Sequence, residues 1–302
     1  MTGRFAPSPT GDLHIGNLRT ALLAWLVARA DAERFLVRME DLDRSTASVG
    51  HEQRQLADLA ALGIDWDGGV VRQSERFERY QEALDRLVDA GMTFECFCSR
   101  REIREAAAAP HGPGADGGYP GTCRRLSARE RDRRRADRPP AIRLRAGGTA
   151  AITVADRLAG PVTGFADDIV LRRNDGVPAY QLAVVVDDAA QGVTTVVRGV
   201  DLLPSCFAQR TLQGLLDLPT VDYAHVPLVV GPTGQRLAKR DGSVTRAELA
   251  AAGVSDRSIV GVLGRSLGLP GDGVATAADL LAGFDLDMVR RLGPEPISWT
   301  DL

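Results

Sequence analysis

The chain has 302 residues, 44% hydrophobic and 25% charged, with a formal net charge of −3. That length supports a full core and more than one domain, and the balance excludes a disordered or fibrous chain. No apolar run approaches the roughly 18 residues of a membrane span, and MTGRFAPSPTGD lacks a secretory signal pattern, so a cytoplasmic protein is expected.

The segment GRFAPSPTGDLHIGNLRTALLAWLVARADAERFLVRMEDLD starts extended, passes through a Pro/Gly loop and enters a periodic helix. Leu18, Ala21, Leu22, Trp25 and Leu26 share one face of that helix, and RFLVRME follows as a strand. This strand–loop–helix–strand unit opens a parallel nucleotide-binding sheet. HEQRQLADLAALGI and ERFERYQEALDRLVDAG predict two more helices. From Met92 to about Gly160 the chain turns cysteine-rich, then Gly/Pro-rich, then arginine-rich, which marks an inserted subdomain. YQLAVVVDD and VTTVVRG are expected as buried strands, followed by a helix. TRAELAAAGVSDRSIVGVLGRSLGL and AADLLAGFDLDMVRRLG predict short helices forming a C-terminal cap. The expected fold is α/β, with a Rossmann-type parallel-sheet catalytic domain in two halves, 1–91 and 161–235. The insertion occupies 92–160, and a lysine loop with the helical cap occupies 236–302.

Lys239, in VVGPTGQRLAKRDGSV, is the only lysine among 37 Lys and Arg residues. Drift under GC-rich codons can leave one survivor anywhere. A compact cation on a flexible stem, which guanidinium does not imitate, can instead reach for phosphate. PSPTGDLHIGN sits where the first strand meets the first helix, and a helix N-terminus attracts anions. Gly11 and Gly16 permit close approach there, and His14 can donate to a phosphate oxygen as charge builds. Taken alone, the same stretch also reads as a Pro/Gly turn with a capping histidine.

The insertion holds CFCSRREIREAAAAPHGPGADGGYPGTC. Cys96, Cys98 and Cys123, with a fourth donor, suit a structural zinc closed on all sides by protein, the alternative being three buried thiols. His111 is one candidate for that donor. Cys206 lies in an apolar helix and is expected in the core. Residues 124–145 hold ten arginines against Glu130, Asp132 and Asp137. This run is either a solvated helix face or a phosphate-contacting patch.

Together, the His-Ile-Gly and Leu-Ala-Lys-Arg loops resemble the paired signatures of class I aminoacyl-tRNA synthetases. RFAPSPTGDLHIGNLRTAL resembles the opening of the glutamyl branch, and VRMEDLDRS, YQLAVVVDD, VTTVVRGVDLL and RLAKRDG follow in its order, from residue 4 to about 242. Asn17 replaces a second histidine of many class I enzymes, Arg236 and Ala238 replace a lysine and a serine, and Ala189 and Ala190 follow the Asp pair where relatives often carry histidine. The resemblance implies ATP contacts from His14, Gly16, Asn17, Arg236, Leu237 and Lys239, with His14 and Lys239 catalytic. It implies a glutamate pocket of Arg4, Phe5, Ala6, Pro7, Ser8, Glu40, Tyr180 and Arg198. Arg4 and Arg198 would take the two carboxylates, in an order left open, Glu40 the ammonium, and Tyr180 would add a hydroxyl. The family's Cys-Cys-Tyr-Cys spacing implies Tyr119 beside Cys96, Cys98 and Cys123 on zinc, against the rival His111.

About 60 residues follow Lys239, too few for the anticodon-reading region of long glutamyl enzymes. The resemblance therefore implies a short, monomeric paralogue of that branch. It would activate L-glutamate with MgATP without tRNA and attach it to queuosine in the anticodon stem-loop of tRNA(Asp). A truncated enzyme acting on a tRNA 3′ end and a non-catalytic ATP- and glutamate-binding module are the rivals.

Overall fold

The computed structural model describes residues 2–107, 118–147, 150–231 and 244–298. The first half runs through β1 (Thr2–Phe5), α1 (Ile15–Ala30), β2 (Arg34–Met39), α2 (Val49–Ala61), β3 (Val71–Arg72) and α3 (Phe77–Asp89). The insertion follows with β4 (Thr93–Cys96), α4 (Arg100–Ala107), α5 (Ala128–Asp137) and β5 (Ala141–Leu144). Next come β6 (Ile152–Asp156), β7 (Gly160–Gly164), β8 (Val170–Arg172), α6 (Tyr180–Ala190), β9 (Thr195–Gly199), α7 (Ser205–Leu215), β10 (Asp222–Val226) and β11 (Val229–Val230). The C-terminal part holds α8 (Arg246–Ala251), α9 (Asp256–Ser266), α10 (Ala277–Ala282), α11 (Leu286–Arg290) and β12 (Ile297–Ser298).

Seven strands form the main sheet in the order β3-β2-β1-β9-β10-β6-β7. All neighbours are parallel except the β6–β7 hairpin. The order runs outward in opposite directions from β1 and β9, and such a reversal opens a crevice beyond the carboxyl ends of the two strands. β4, β5 and β8 form a separate antiparallel sheet. Pairing therefore crosses the expected boundary at 160 both ways. Ile152–Asp156 joins the main sheet, and Val170–Arg172 joins the sheet of the insertion.

Helix α1 buries eleven consecutive or near-consecutive positions between Ile15 and Ala28, not one face alone. It lies between β1 and β9 on one side and α9 and α10 on the other, so nearly its whole girth is in the core. α3 is one-sided and buries Tyr80, Ala83, Leu84 and Leu87 at helical spacing.

YQLAVVVDD is not the strand expected from its sequence but helix α6. It is packed between α3 and α7, and Leu182, Ala183, Val184 and Val185 are all buried. A short helix covered on both sides has no polar face, so its apolar run carries no 3.6-residue signature to separate it from a buried strand. The insertion is also more regular than its composition predicts: α5 is defined by a Ser127/Glu130 capping box while burying none of its own residues. No described helix is long and apolar enough to cross a membrane.

Candidate active site

A cavity of about 740 Å³ opens at the β1/β9 crevice. Arg4 and Phe5 come from the end of β1, Ala6, Pro7 and Ser8 from the loop beyond it, and Glu40 follows β2. Tyr180 opens α6, Arg198 ends β9, and His14, Gly16 and Asn17 start α1. Every described residue of the expected glutamate and ATP sets thus lines one cavity. Arg236, Leu237 and Lys239 lie outside the described residues, as does His111. The described flanks of residues 232–243 border the site: Val229 lines the cavity, and Val244 accepts the backbone N–H of Ile15 at 2.9 Å.

The Pro/Gly loop is stapled from α2, where Gln55 Nε2 donates to Gly11 O at 2.6 Å and Ser8 O at 3.1 Å. Glu40 N donates to Pro7 O at 2.9 Å, tying the loop to β2. Arg19, buried on α1, donates to Pro227 O at 2.7 Å and grips Ser266 through Nε and Nη2 at 3.0 Å. It so ties the cavity wall at Pro227 to α9, and burial without a carboxylate partner lowers its pKa to about 10.

Beneath the cavity lies a buried charge network. Arg38, from the apolar run of β2, donates to Asp188 Oδ1 at 2.7 Å and Gln191 Oε1 at 2.8 Å and lies 3.5 Å from Glu40 Oε1. Burial pulls Arg38 down, but Asp188, Glu40 and Asp187 together hold it above its ordinary value. Asp187 accepts from Tyr80 at 2.7 Å, Arg76 at 2.6 Å and Gln73 at 3.0 Å. Burial raises Asp188, yet Arg38 and Arg4 outweigh it and keep that carboxylate below the usual range. Burial raises Glu40, with Arg38 and Arg4 offsetting only part. Arg4 is loosely held: its Nε is 3.5 Å from Asp188, and Nη1 reaches Val197 O at 3.4 Å.

Arg198 is held more tightly. It donates from Nε to His225 Nε2 at 3.0 Å, from Nη1 to Gln209 Oε1 at 2.9 Å and from Nη2 to Leu202 O at 3.1 Å. His225 Nδ1 lies 2.6 Å from Asp156 Oδ2. Sequence reasoning missed Gln55, Arg19, Arg38, Asp156 and His225. The available signal was a charge inside an apolar strand, as in RFLVRME.

His14 is the N-cap of α1, and its Nδ1 accepts the backbone N–H groups of Gly16 at 3.1 Å and Asn17 at 3.3 Å. Asn17 Oδ1 accepts His14 N at 3.2 Å and completes a capping box. With Nδ1 accepting, the imidazole proton sits on Nε2. The capping histidine and the cavity histidine are therefore the same residue.

A second cavity of about 710 Å³ shares Ser8, Glu40 and Tyr180 with the first and extends to the insertion, where Arg100, Arg138, Arg143 and Arg173 line it. At its edge the ligand atoms of Cys96, Cys98 and Cys123 lie within 4.8 Å of one another, a group able to hold a metal ion. Cys98 Sγ is 3.5 Å from Cys123 Sγ, and the Tyr119 hydroxyl is 3.3 Å from Cys96 Sγ and 3.7 Å from Cys98 Sγ. Ligands at about 2.3 Å on a tetrahedral zinc stand about 3.8 Å apart, so this donor set fits the ion. Contacts with Cys123 and Cys98 drive the Cys96 thiol down, while contacts with Cys123 and Cys96 push the Cys98 thiol up. Burial pushes the Tyr119 phenol up. Cys206 is buried in α7, as core. On α5, Arg135 pairs with Glu95 at 2.7 Å, and beyond it Arg138 pairs with Glu102 at 3.3 Å. Arg129 and Arg133 are exposed.

Residues 1–273 match the family model of the catalytic domain of class I tRNA synthetases (E and Q). A crystal structure of a glutamate tRNA ligase from Elizabethkingia meningosepticum, in complex with its amino acid, superposes with a TM-score of 0.82 at 25% identity, covering 99% of this chain and 67% of that one. The chain is a class I aminoacyl-tRNA synthetase, an enzyme of the ligase type. It is 59% identical over 300 residues to a glutamyl-Q tRNA(Asp) synthetase of Nocardia farcinica, covering 99% of this chain and 93% of that protein. It is 47% identical over 313 residues to one of Cutibacterium acnes, at 99% and 88% coverage. Within its class it belongs to the glutamyl-Q tRNA(Asp) synthetase family.

Proposed function

We propose that this enzyme activates L-glutamate with ATP in the absence of tRNA and transfers it to queuosine at the wobble position of tRNA(Asp). One observation carries the reading: Arg4, Arg198 and Glu40 face a single cavity that continues into a second, arginine-lined one. Two cations and an anion match the charges of glutamate, and the second cavity offers cations for an acceptor nucleotide and its phosphates.

In the first step an oxygen of the glutamate α-carboxylate attacks the α-phosphorus of ATP, bound with magnesium. The bond to the leaving pyrophosphate breaks, and glutamyl-adenylate forms. His14 donates from Nε2, and the N-terminus of α1 and Lys239 add positive potential where phosphate charge develops. In the second step a cyclopentene hydroxyl of queuosine attacks the acyl carbon, AMP departs, and the hydroxyl proton passes to solvent or phosphate. No side chain acts as nucleophile; positioning and charge stabilisation supply the rate. Cys96, Cys98, Tyr119 and Cys123 would hold one structural zinc ion, which would brace the wall of the acceptor cavity. The enzyme works as a monomer in the cytoplasm, with the half-sites in 1–91 and 161–235, the acceptor side in 92–160 and the phosphate loop and cap in 236–302, except that β6 belongs with the catalytic sheet and β8 with the acceptor side.

The test is glutamate-dependent ATP–pyrophosphate exchange without tRNA, followed by labelling of tRNA(Asp) with and without queuosine. Exchange without tRNA and label confined to queuosine support the reading. An absolute requirement for tRNA, or label at the 3′ end, would return the chain to ordinary tRNA charging. No exchange under either condition would leave a binding module.

A further inference from the structure

We propose that Asp156 and His225 are positioning residues that preset the guanidinium of Arg198 for a substrate carboxylate. The inference rests on reading Arg198 as a glutamate contact and deepens it. A guanidinium carries five N–H donors and no acceptor. The atom facing Arg198 Nε at 3.0 Å, His225 Nε2, must therefore present a lone pair. The imidazole proton then lies on Nδ1 and is donated to Asp156 Oδ2 at 2.6 Å.

Asp156 is itself locked. Its Oδ1 accepts the backbone N–H groups of Leu158 at 2.9 Å and Ala159 at 2.8 Å in the turn after β6, and its Oδ2 also takes His225 N at 3.1 Å. Asp156, Arg198 and His225 are 6%, 5% and 3% exposed, so water does not compete for these contacts. Tyr223 lies against both partners, stacked on His225 at 5.6 Å and 5.0 Å from the Arg198 guanidinium carbon.

With Nε on His225, one Nη1 hydrogen on Gln209 and one Nη2 hydrogen on Leu202, the described residues leave Arg198 one N–H on each terminal nitrogen. That is the complement a bidentate carboxylate takes up. Arg4 contrasts with this arrangement, because its buried Nε has no hydrogen-bond acceptor among the described residues. Arg198 is the preset cation of the pocket, and Arg4 is the one left to adjust. The chain Asp156–His225–Arg198 links β6, β10 and β9, so the orientation comes from the rigid sheet instead of a loop.

The test compares full-length variants by glutamate and ATP KM in pyrophosphate exchange. Asp156→Asn keeps a carbonyl oxygen for the turn but can set an amide donor against Nδ1, which moves the imidazole proton to Nε2 and against Arg198. His225→Asn removes the acceptor facing Arg198, whereas the longer His225→Gln restores one. Asp156→Asn and His225→Asn should raise glutamate KM roughly 10- to 100-fold with ATP KM unchanged, and His225→Gln should stay within about five-fold of wild type. Long-range ¹H–¹⁵N spectra of the wild-type protein should place the His225 proton on Nδ1. A proton on Nε2 overturns the proposal whether or not the variants fold, as do equal losses in glutamate and ATP KM. If Arg198→Lys raises glutamate KM while Asp156→Asn and His225→Asn do not, the positioning role falls and the site reading stands. If Arg198→Lys leaves glutamate KM unchanged, the site reading itself falls and takes the proposal with it.

Discussion

His14 Nδ1 accepts the backbone N–H of Gly16 at 3.1 Å, and a Cβ placed on Gly16 would lie 3.1 Å from the same imidazole ring. The helix cap and the position of the imidazole are therefore one geometric problem. Gly16→Ala should shift the ring by a few tenths of an ångström while the helix remains. Exchange activity should fall roughly 10- to 100-fold, with the thermal midpoint moved by only a few degrees. Wild-type rates in Gly16→Ala would show that the His14 position does not matter to the chemistry.

Arg38 is the hub of the charge network, and removing it leaves Asp188 and Asp187 in the core with fewer cations. Arg38→Met should cost about 3–5 kcal/mol in urea unfolding, because an uncompensated buried carboxylate is far costlier than a lost surface pair. Adding Asp188→Asn to Arg38→Met should return part of that loss, with a coupling of about 1–3 kcal/mol between the two positions. Additive effects would mean that the two side chains do not depend on each other.

The thiol cluster predicts a metal. Purified protein should carry one zinc per chain, and chelation should lower the thermal midpoint and loosen the insertion. Cys98→Ser and Tyr119→Phe should both lower zinc content, while His111→Ala should not. Retention of zinc by Tyr119→Phe and its loss from His111→Ala would assign the fourth ligand to His111.

The proposed function sets Lys239 on the ATP phosphates. Lys239→Arg should keep the fold and glutamate KM, yet lower kcat by roughly 30- to 1000-fold, equivalent to about 2–4 kcal/mol of transition-state stabilisation. Arg236→Ala should cost less. An unchanged exchange rate in Lys239→Arg would make this lysine a survivor of codon usage and pass the contact to Arg236 or Arg240.

Burial lowers the pKa of His225 from 6.5, with Arg198 and Arg4 adding to the fall and the Asp156 hydrogen bond opposing it. The unfolded chain takes up a proton there as pH drops through about 6.5, while the folded chain does not until lower pH. Stability is therefore unaffected above that value and declines below it. Asp156 is also lowered, from 3.8, so its own loss of stability begins at more acidic pH and does not overlap. Thermal midpoints between pH 7.5 and 5 should fall less steeply in His225→Gln than in wild type. Parallel slopes would show that His225 takes up its proton at the same pH in the folded and unfolded chain, and a shallower fall in wild type would show that the imidazole is already charged in the fold.

Local pattern was enough for much of this molecule. α3 was legible because Tyr80, Ala83, Leu84 and Leu87 recur at helical spacing with polar residues between them. The cavity set from Arg4 to Arg198 was legible through its loop motifs, which fall at strand ends and a helix start where chain direction alone predicts a crevice. α6 was not legible, because burial on both sides erases the polar face that marks a helix.

The class of the fold, the loop signatures and the cysteine cluster could be read along the chain, because their residues lie close together in it or at element ends. The side chains that support those residues became visible in the folded chain. Arg38 and Asp188 are 150 positions apart, Arg19 and Ser266 are 247 apart, and Asp156 and His225 are 69 apart. A buried charge leaves no periodic trace, and its partner is chosen by which strands and helices become neighbours. That choice is made by packing over the whole sheet, so neither half of such a pair announces the other in the chain.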